Sequence, residues 1–274
     1  MVQLGTVYLR VANLDKQIAF YQKVIGLHVQ REEGDTVYLG AGGDDLLALI
    51  HTPEGKRIHG HNGLYHFAIL LPTRADLART LRHFALTETP LQGLSDHLVS
   101  EAIYLADPEG NGIEVYADRP RTTWYRNGQL QMDTIPINIA DLMREQGEVG
   151  DGPHRLPAGT VIGHVHLHVS DLAAATNFYR EVLGMDVLFH MPSASFLSYE
   201  GYHHHLGINT WAGRVSREAN ALGLDHFTLK LNDEAQAASI LARLANSPQA
   251  QQLTDTRWQV FGSEVDVLVR PVFT

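Results

Sequence analysis

The 274-residue chain contains no cysteine. That absence excludes disulfides, thiolate metal sites and a cysteine nucleophile, so any metal must be held by nitrogen and oxygen. Positive charge is also scarce: 21 Lys+Arg face 31 Asp+Glu, for a formal net charge of -10. A protein that tracks phosphates needs a basic face, so no nucleic-acid partner is expected. No run of about 18 apolar residues occurs, so no membrane-spanning helix is expected either. The opening MVQLGTVYLRVANLD lacks a basic stretch followed by an apolar one, which predicts no signal peptide and a cytoplasmic location. What the chain does hold is 16 histidines and a 44% hydrophobic content, enough for a packed core.

The sequence repeats itself. Residues 7–29, VYLRVANLDKQIAFYQKVIGLHV, recur at an offset of 158 as VHLHVSDLAAATNFYREVLGMDV, residues 165–187. A second pair, GLYHFAILLPTRADLARTLRHFA at 63–85 and GLDHFTLKLNDEAQAASILARLA at 223–245, is offset by 160. The chain is thus a tandem duplication, and each half holds two similar units. A unit opens with alternating apolar residues, the period of a half-buried strand. Asn13 or Asp171 then stands where a helix N-cap belongs, and Gly26 or Gly184 closes the helical stretch. Further strands are predicted at VYLGAG and LLALIHT in the first unit, and at ASFLSYE and HLGINTW in the third. The fold class is α+β, with four βαβββ units. The predicted division is an N-terminal domain 1–118, a linker 119–158 and a C-terminal domain 159–274. Within the linker, IPINIADLMREQ predicts a short helix and GEVGDGP a flexible stretch.

The strand–NLD/SDL–FY–LG openings, with GLYHFAIL and DPEGNGIEVY, resemble the vicinal oxygen chelate superfamily of glyoxalases, bleomycin- and fosfomycin-resistance proteins and extradiol dioxygenases. The two-domain length, with SDHLVSEAIYLADPEGNGIEVYADRPR, HVHLHVSDL and YHHHLGINTW, is most similar to the catechol-2,3-dioxygenase-like branch. The resemblance covers both halves and omits only the linker. It implies two open barrels, each built from two units, and a divalent metal held by two histidines and one glutamate. In this branch the metal is Fe(II), with Mn, Zn or Ni as alternatives; the partners are a catechol-like aromatic diol and O2. A homo-oligomer is left open.

The family's ligand slots lie near the start of each unit's first strand and on the last strand of the second unit. Carried over, the first-strand slots hold Thr6, His66, His164 and His226. Glu114 fills the last-strand slot of unit two, and aligning Gly262 with Gly110 puts Asp266 in that of unit four. Pairing units two and three gives the complete set His66, Glu114 and His164. Pairing three and four gives His164, His226 and Asp266 instead, while pairing one and two leaves Thr6 in a ligand position. The first set is preferred, since two imidazoles and a carboxylate suit non-haem Fe(II) oxygen chemistry.

Other side chains are candidates for proton transfer or substrate contact. His205 is preferred within the run His203–His205, because it lies deepest in the expected strand. His97 is a second proton shuttle, and Tyr116, with Tyr104, is placed to hydrogen-bond a substrate oxygen. His166 and His168 share a strand face with His164. Arg119, Arg121 and Arg126 either orient a substrate carboxylate or form a solvated loop. His59 and His61 read as linker residues. The function implied is ring cleavage of the diol beside its hydroxyls. A glyoxalase-like isomerase, using Glu200 as a fourth ligand, a fosfomycin-type transferase and a non-catalytic binding protein are the rivals.

Overall fold

The structure is a computed structural model that describes all residues except 1, 59, 148–151, 214, 216, 256, 262–264, 273 and 274. His59 and Gly262 therefore lie outside the described residues. Unit one comprises β1 (Val2–Val11), α1 (Leu14–Phe20), β2 (His28–Glu33), β3 (Thr36–Gly40) and β4 (Asp45–His51). Unit two comprises β5 (Gly63–Leu70), α2 (Arg74–Leu86), β6 (Gly93–Asp96), β7 (Ser100–Ala106) and β8 (Gly112–Asp118). The connecting stretch carries a small hairpin, β9 (Tyr125–Arg126) and β10 (Gln129–Leu130), then β11 (Ile135–Pro136) and α3 (Ile139–Arg144). Unit three follows as β12 (Val161–His168), α4 (Leu172–Val182), β13 (Asp186–Met191), β14 (Ala194–Ser198) and β15 (Leu206–Asn209). Unit four is β16 (Gly223–Leu231), α5 (Glu234–Ala245), β17 (Ala250–Thr254), β18 (Arg257–Val260) and β19 (Asp266–Pro271).

Local chemistry explains the repeated strand–helix opening. Asn13 Oδ1 accepts the Lys16 N–H at 3.0 Å, and Asp171 Oδ1 accepts that of Ala174 at 2.9 Å. Gly26 (φ 93°) and Gly184 (φ 72°) then take the left-handed conformation that lets the chain turn back. Alternation along the first strands separates two faces. Val7, Leu9, Phe67, Ile69, Val165, Leu167, Phe227 and Leu229 are buried in the main core, which includes apolar side chains from the helices. The opposite face carries His66, Ala68, His164 and His166.

Two open sheets result, and neither coincides with one half of the sequence. One has the order β17-β18-β19-β16-β1-β4-β3-β2 and joins unit four to unit one. The other, β11-β6-β7-β8-β5-β12-β15-β14-β13, joins unit two to unit three. The central pair of each sheet is antiparallel, β1 with β16 and β5 with β12. The boundaries 1–118 and 159–274 thus mark the duplication, whereas the hydrogen-bonded layers cross it. Nor is the stretch 119–158 only a connector, since β11 pairs with β6 at the sheet edge.

The DPEGNG turn ties the two sheets together. Asp107 accepts from the backbone of Glu109 and Asn111, from Asn111 Nδ2 and from the Tyr21 hydroxyl of unit one. The Glu109 carboxylate reaches the backbone N–H groups of Ala12 and Asn13 at 2.8–3.1 Å. Among the described residues no helix is long and apolar enough to cross a membrane.

Candidate metal centre

Strand register brings three of the expected side chains to one point. Ala68, on the central strand β5, is paired on one side with Glu114 of β8 and on the other with His164 of β12. His66 lies two residues earlier on the same face of β5. The small side chain of Ala68 leaves the space between them open. Glu114 Oε2 is 3.1 Å from both His66 Nε2 and His164 Nε2, and the two nitrogens are 3.3 Å apart. These three residues form a group able to hold a metal ion, and all three are buried.

The donor set fits a divalent cation. Bonds of about 2.1 Å set at right angles place neighbouring donors about 3.0 Å apart, close to the observed triangle. Burial raises the Glu114 carboxyl, but His164 and then His66 outweigh it and hold the group well below the usual range. His164 is pushed down to about 4 by burial, against the pull of Glu114, so its imidazole is neutral at pH 7. A buried carboxylate thus faces two imidazole nitrogens at contact distance, and a single cation would satisfy all three at once. The His164 ring is held by packing, 5.0 Å from the Tyr116 ring and 4.1 Å from that of His204.

The centre forms part of the wall of a cavity of about 560 Å³. His166 lines it too, its Nε2 accepting from Asn209 Nδ2 at 3.0 Å. Burial holds His166 well below its usual pKa. His97 also lines the cavity: its Nδ1 lies 2.9 Å from the Asp133 carbonyl and its Nε2 2.7 Å from the Tyr104 hydroxyl. The carbonyl can only accept, so Nδ1 carries the proton and Nε2 accepts from Tyr104. Burial, and then the nearby Glu114, push the Tyr104 hydroxyl well above 10.

Two expected residues stand elsewhere. Within the histidine run it is His204, not His205, that lines this cavity. The run lies in a bend before β15, so strand alternation does not govern where its side chains point. His205 turns away, its Nδ1 2.8 Å from Ser198 Oγ and accepting the Tyr199 N–H at 3.3 Å. His204 Nδ1 instead lies 2.8 Å from His203 Nδ1, and His203 Nε2 lies 2.9 Å from Asp118 Oδ1. Tyr116 does not line the cavity either; it stands behind His164, with its hydroxyl 2.7 Å from that of Tyr202.

In the other sheet His226 pairs with Asp266 and Thr228 with Leu268, as His66 pairs with Gly112 and Ala68 with Glu114, so Asp266 stands at the Gly112 position and the apolar Leu268 fills the slot of Glu114. Thr6 Oγ1 donates to the Asp45 carbonyl, His226 Nδ1 lies 2.6 Å from Asp225 Oδ2, and Asp266 accepts from Gln259. His164, in the other sheet, cannot complete a set with His226 and Asp266. Glu200 is exposed in the turn before the histidine run and is not one of the cavity's lining residues. Sequence reasoning missed His204, and also Tyr65, Trp211, Phe196 and the linker's Met132–Thr134, all of which line the cavity. The single earlier signal was the histidine run itself.

Comparison with known proteins agrees with this architecture. Catechol-2,3-dioxygenase of Bacillus subtilis (strain 168) is 39% identical over 270 residues, 94% of this chain and 92% of that protein. A solved structure from Bacillus subtilis subsp. subtilis str. 168 superposes with a TM-score of 0.67 at 11% identity, covering 98% of this chain and 84% of that one. Glyoxalase I from Zea mays superposes with a TM-score of 0.58 at 16% identity, covering 99% of this chain and 92% of its own. At such identities the two structures attest the fold alone. Residues 3–115 and 161–247 match a family profile, and with the 39% identical relative they make this chain a member of the Glyoxalase/Bleomycin resistance protein/Dioxygenase superfamily.

Proposed function

We propose that the protein is an Fe(II)-dependent extradiol dioxygenase that opens a catechol-like ring with O2. The observation that carries this reading is the buried His66–Glu114–His164 triangle, with donor atoms 3.1–3.3 Å apart, at a cavity of substrate size. The 39% identical catechol-2,3-dioxygenase of Bacillus subtilis supports the reaction class. No further histidine or carboxylate joins the triangle among the described residues, which favours this reading over a four-ligand isomerase. His66 Nε2, His164 Nε2 and Glu114 Oε2 would hold the ion.

When bound there, the cation would supply Lewis acidity that favours the deprotonated diol and its reaction with O2. The chain's own residues manage the protons. Asp118 accepts from His203 Nε2, so His203 Nδ1 accepts from His204 Nδ1–H, and His204 Nε2 keeps its lone pair. That nitrogen takes a proton from the diol and returns it as the ring opens. The His97–Tyr104 pair offers a second proton path on the opposite wall. His205 and Tyr116 act from behind the cavity wall, as supports of the histidine run and of His164. Both atoms of O2 enter the product, the carbon–carbon bond beside the diol breaks, and a hydroxylated semialdehyde forms. The ring supplies all the electrons, so no external reductant is consumed.

The test is anaerobic reconstitution with Fe(II), then O2 uptake with a panel of catechols. One O2 consumed per diol with a yellow product supports the reading, and its loss in Glu114→Ala ties it to this centre. No uptake and no yellow product across the panel overturn it. Turnover supported by Zn or Ni without O2 consumption would point to the isomerase instead.

A further inference from the structure

Resting on that dioxygenase reading, we propose that the diol carries a neutral, apolar substituent, and that the wall built by β13, β14 and Trp211 selects for it. The cavity, at about 560 Å³, is several times the size of a bare benzenediol. It falls in the range, roughly 300–1,000 Å³, of pockets that bury much larger ligands. Its walls differ in chemistry. Phe196 of β14 packs edge-on to His204 and is paired across the strands with Phe189 of β13, ring centres 5.9 Å apart. Met191 and Trp211 extend this wall to the mouth, where they are 39% and 51% exposed. Trp211 also stands edge-on to Tyr65, at 5.4 Å. Exposed apolar side chains beside a binding cavity are what an apolar group would cover.

Charge points the same way. Among the described residues no Lys or Arg lines the cavity, and its charged lining residues are the carboxylates Glu114 and Asp133. The arginines that could have met a substrate carboxylate are engaged or distant. Arg119 pairs with Asp96 and Glu101, Arg121 bonds the Glu200 carbonyl, and Arg126 is exposed on the β9–β10 hairpin. An anionic substituent would therefore lose water without gaining a counter-charge. An alkyl or aryl group would meet Phe189, Phe196, Met191 and Trp211 instead.

The experiment measures equilibrium binding of three diols to the Fe(II)-loaded protein without O2, with steady-state cleavage of the same diols in parallel. The diols are catechol, a propylcatechol (3- and 4-isomers) and 3,4-dihydroxybenzoate. Complete burial of a methylene is worth about fourfold in affinity, so the better propyl isomer should bind at least tenfold tighter than catechol. The carboxylate should bind at least tenfold more weakly than catechol. Met191→Lys should reduce the propyl-to-carboxylate preference by at least tenfold. Cleavage of catechol with no propyl advantage, or with equal binding of the carboxylate, overturns this proposal and leaves the dioxygenase reading intact. Failure to bind or cleave any of the diols overturns both.

Discussion

Substitution of Gly163 by alanine is expected to loosen the support behind His164. A Cβ on Gly163 would stand 1.7 Å from the Tyr116 hydroxyl oxygen, 2.7 Å from Cζ and 3.0 Å from Cε1. The obstacle is the end of a fully buried aromatic ring, so the ring must move as a body. Forced overpacking costs about 1–3 kcal/mol. Breaking the 2.7 Å bond between the Tyr116 and Tyr202 hydroxyls adds about 1 kcal/mol. The total is about 2–4 kcal/mol, read as a shift in the urea unfolding curve of the metal-free protein. Displacing the ring packed on His164 should also weaken metal binding, by about tenfold if it acts like the loss of a ligand's outer support. A double-mutant cycle isolates the cause, because in a Tyr116→Leu background the added methyl should cost less than about 1 kcal/mol. Equal cost in both backgrounds, or no cost in the parent, would refute the reasoning.

Other outcomes follow from the site and its surroundings. A divalent metal at a hundred times its Kd should raise unfolding stability by about 2.7 kcal/mol, measured by thermal or urea melts, and His66→Ala should abolish the gain. His204→Ala should lower kcat by about 10²–10⁴-fold while metal content is unchanged, whereas loss of metal would show a ligand role instead. Burial pushes His205 down to about 3, so the folded protein holds it neutral while the unfolded chain protonates it near 6.5. The folded pKa is the depressed one, so stability is lost as pH falls below about 6.5. At pH 5 this one group accounts for about 2 kcal/mol, and His205→Asn should flatten the profile by that amount in urea melts at pH 7 and pH 5.

The candidate ligand set was legible because the family resemblance names the slots and the repeat shows what fills them: His66 and His164 occupy the same slot of similar units, and Glu114 follows a recognisable turn. The pairing of units two and three was not written in any local pattern. The completeness of its ligand set favoured it, and the register that sets His164 and Glu114 on either side of Ala68 shows it. The choice of His205 within His203–His205 rested on its depth in an expected strand, and these residues bend ahead of that strand instead. Met132, Asp133 and Thr134 were hidden for a different reason. They fit neither repeated unit, yet β11 fastens their segment to the edge of the sheet that carries the candidate metal centre.

Crossed pairing also has a cost during synthesis. β1 finds its antiparallel partner only in β16, where Val2 meets Leu231. At about 5–20 residues per second, roughly 230 further residues take about 10–45 s to emerge. Through that interval one edge of the N-terminal strand stands unpaired, the β5 edge awaits β12 for a shorter span of roughly 100 residues or about 5–20 s, and unpaired edges invite association with other chains. Non-local pairing of this kind also slows the folding reaction itself. A nascent chain of this protein is thus committed to a long wait before either sheet can be completed, and its later units serve as the partners that end the exposure.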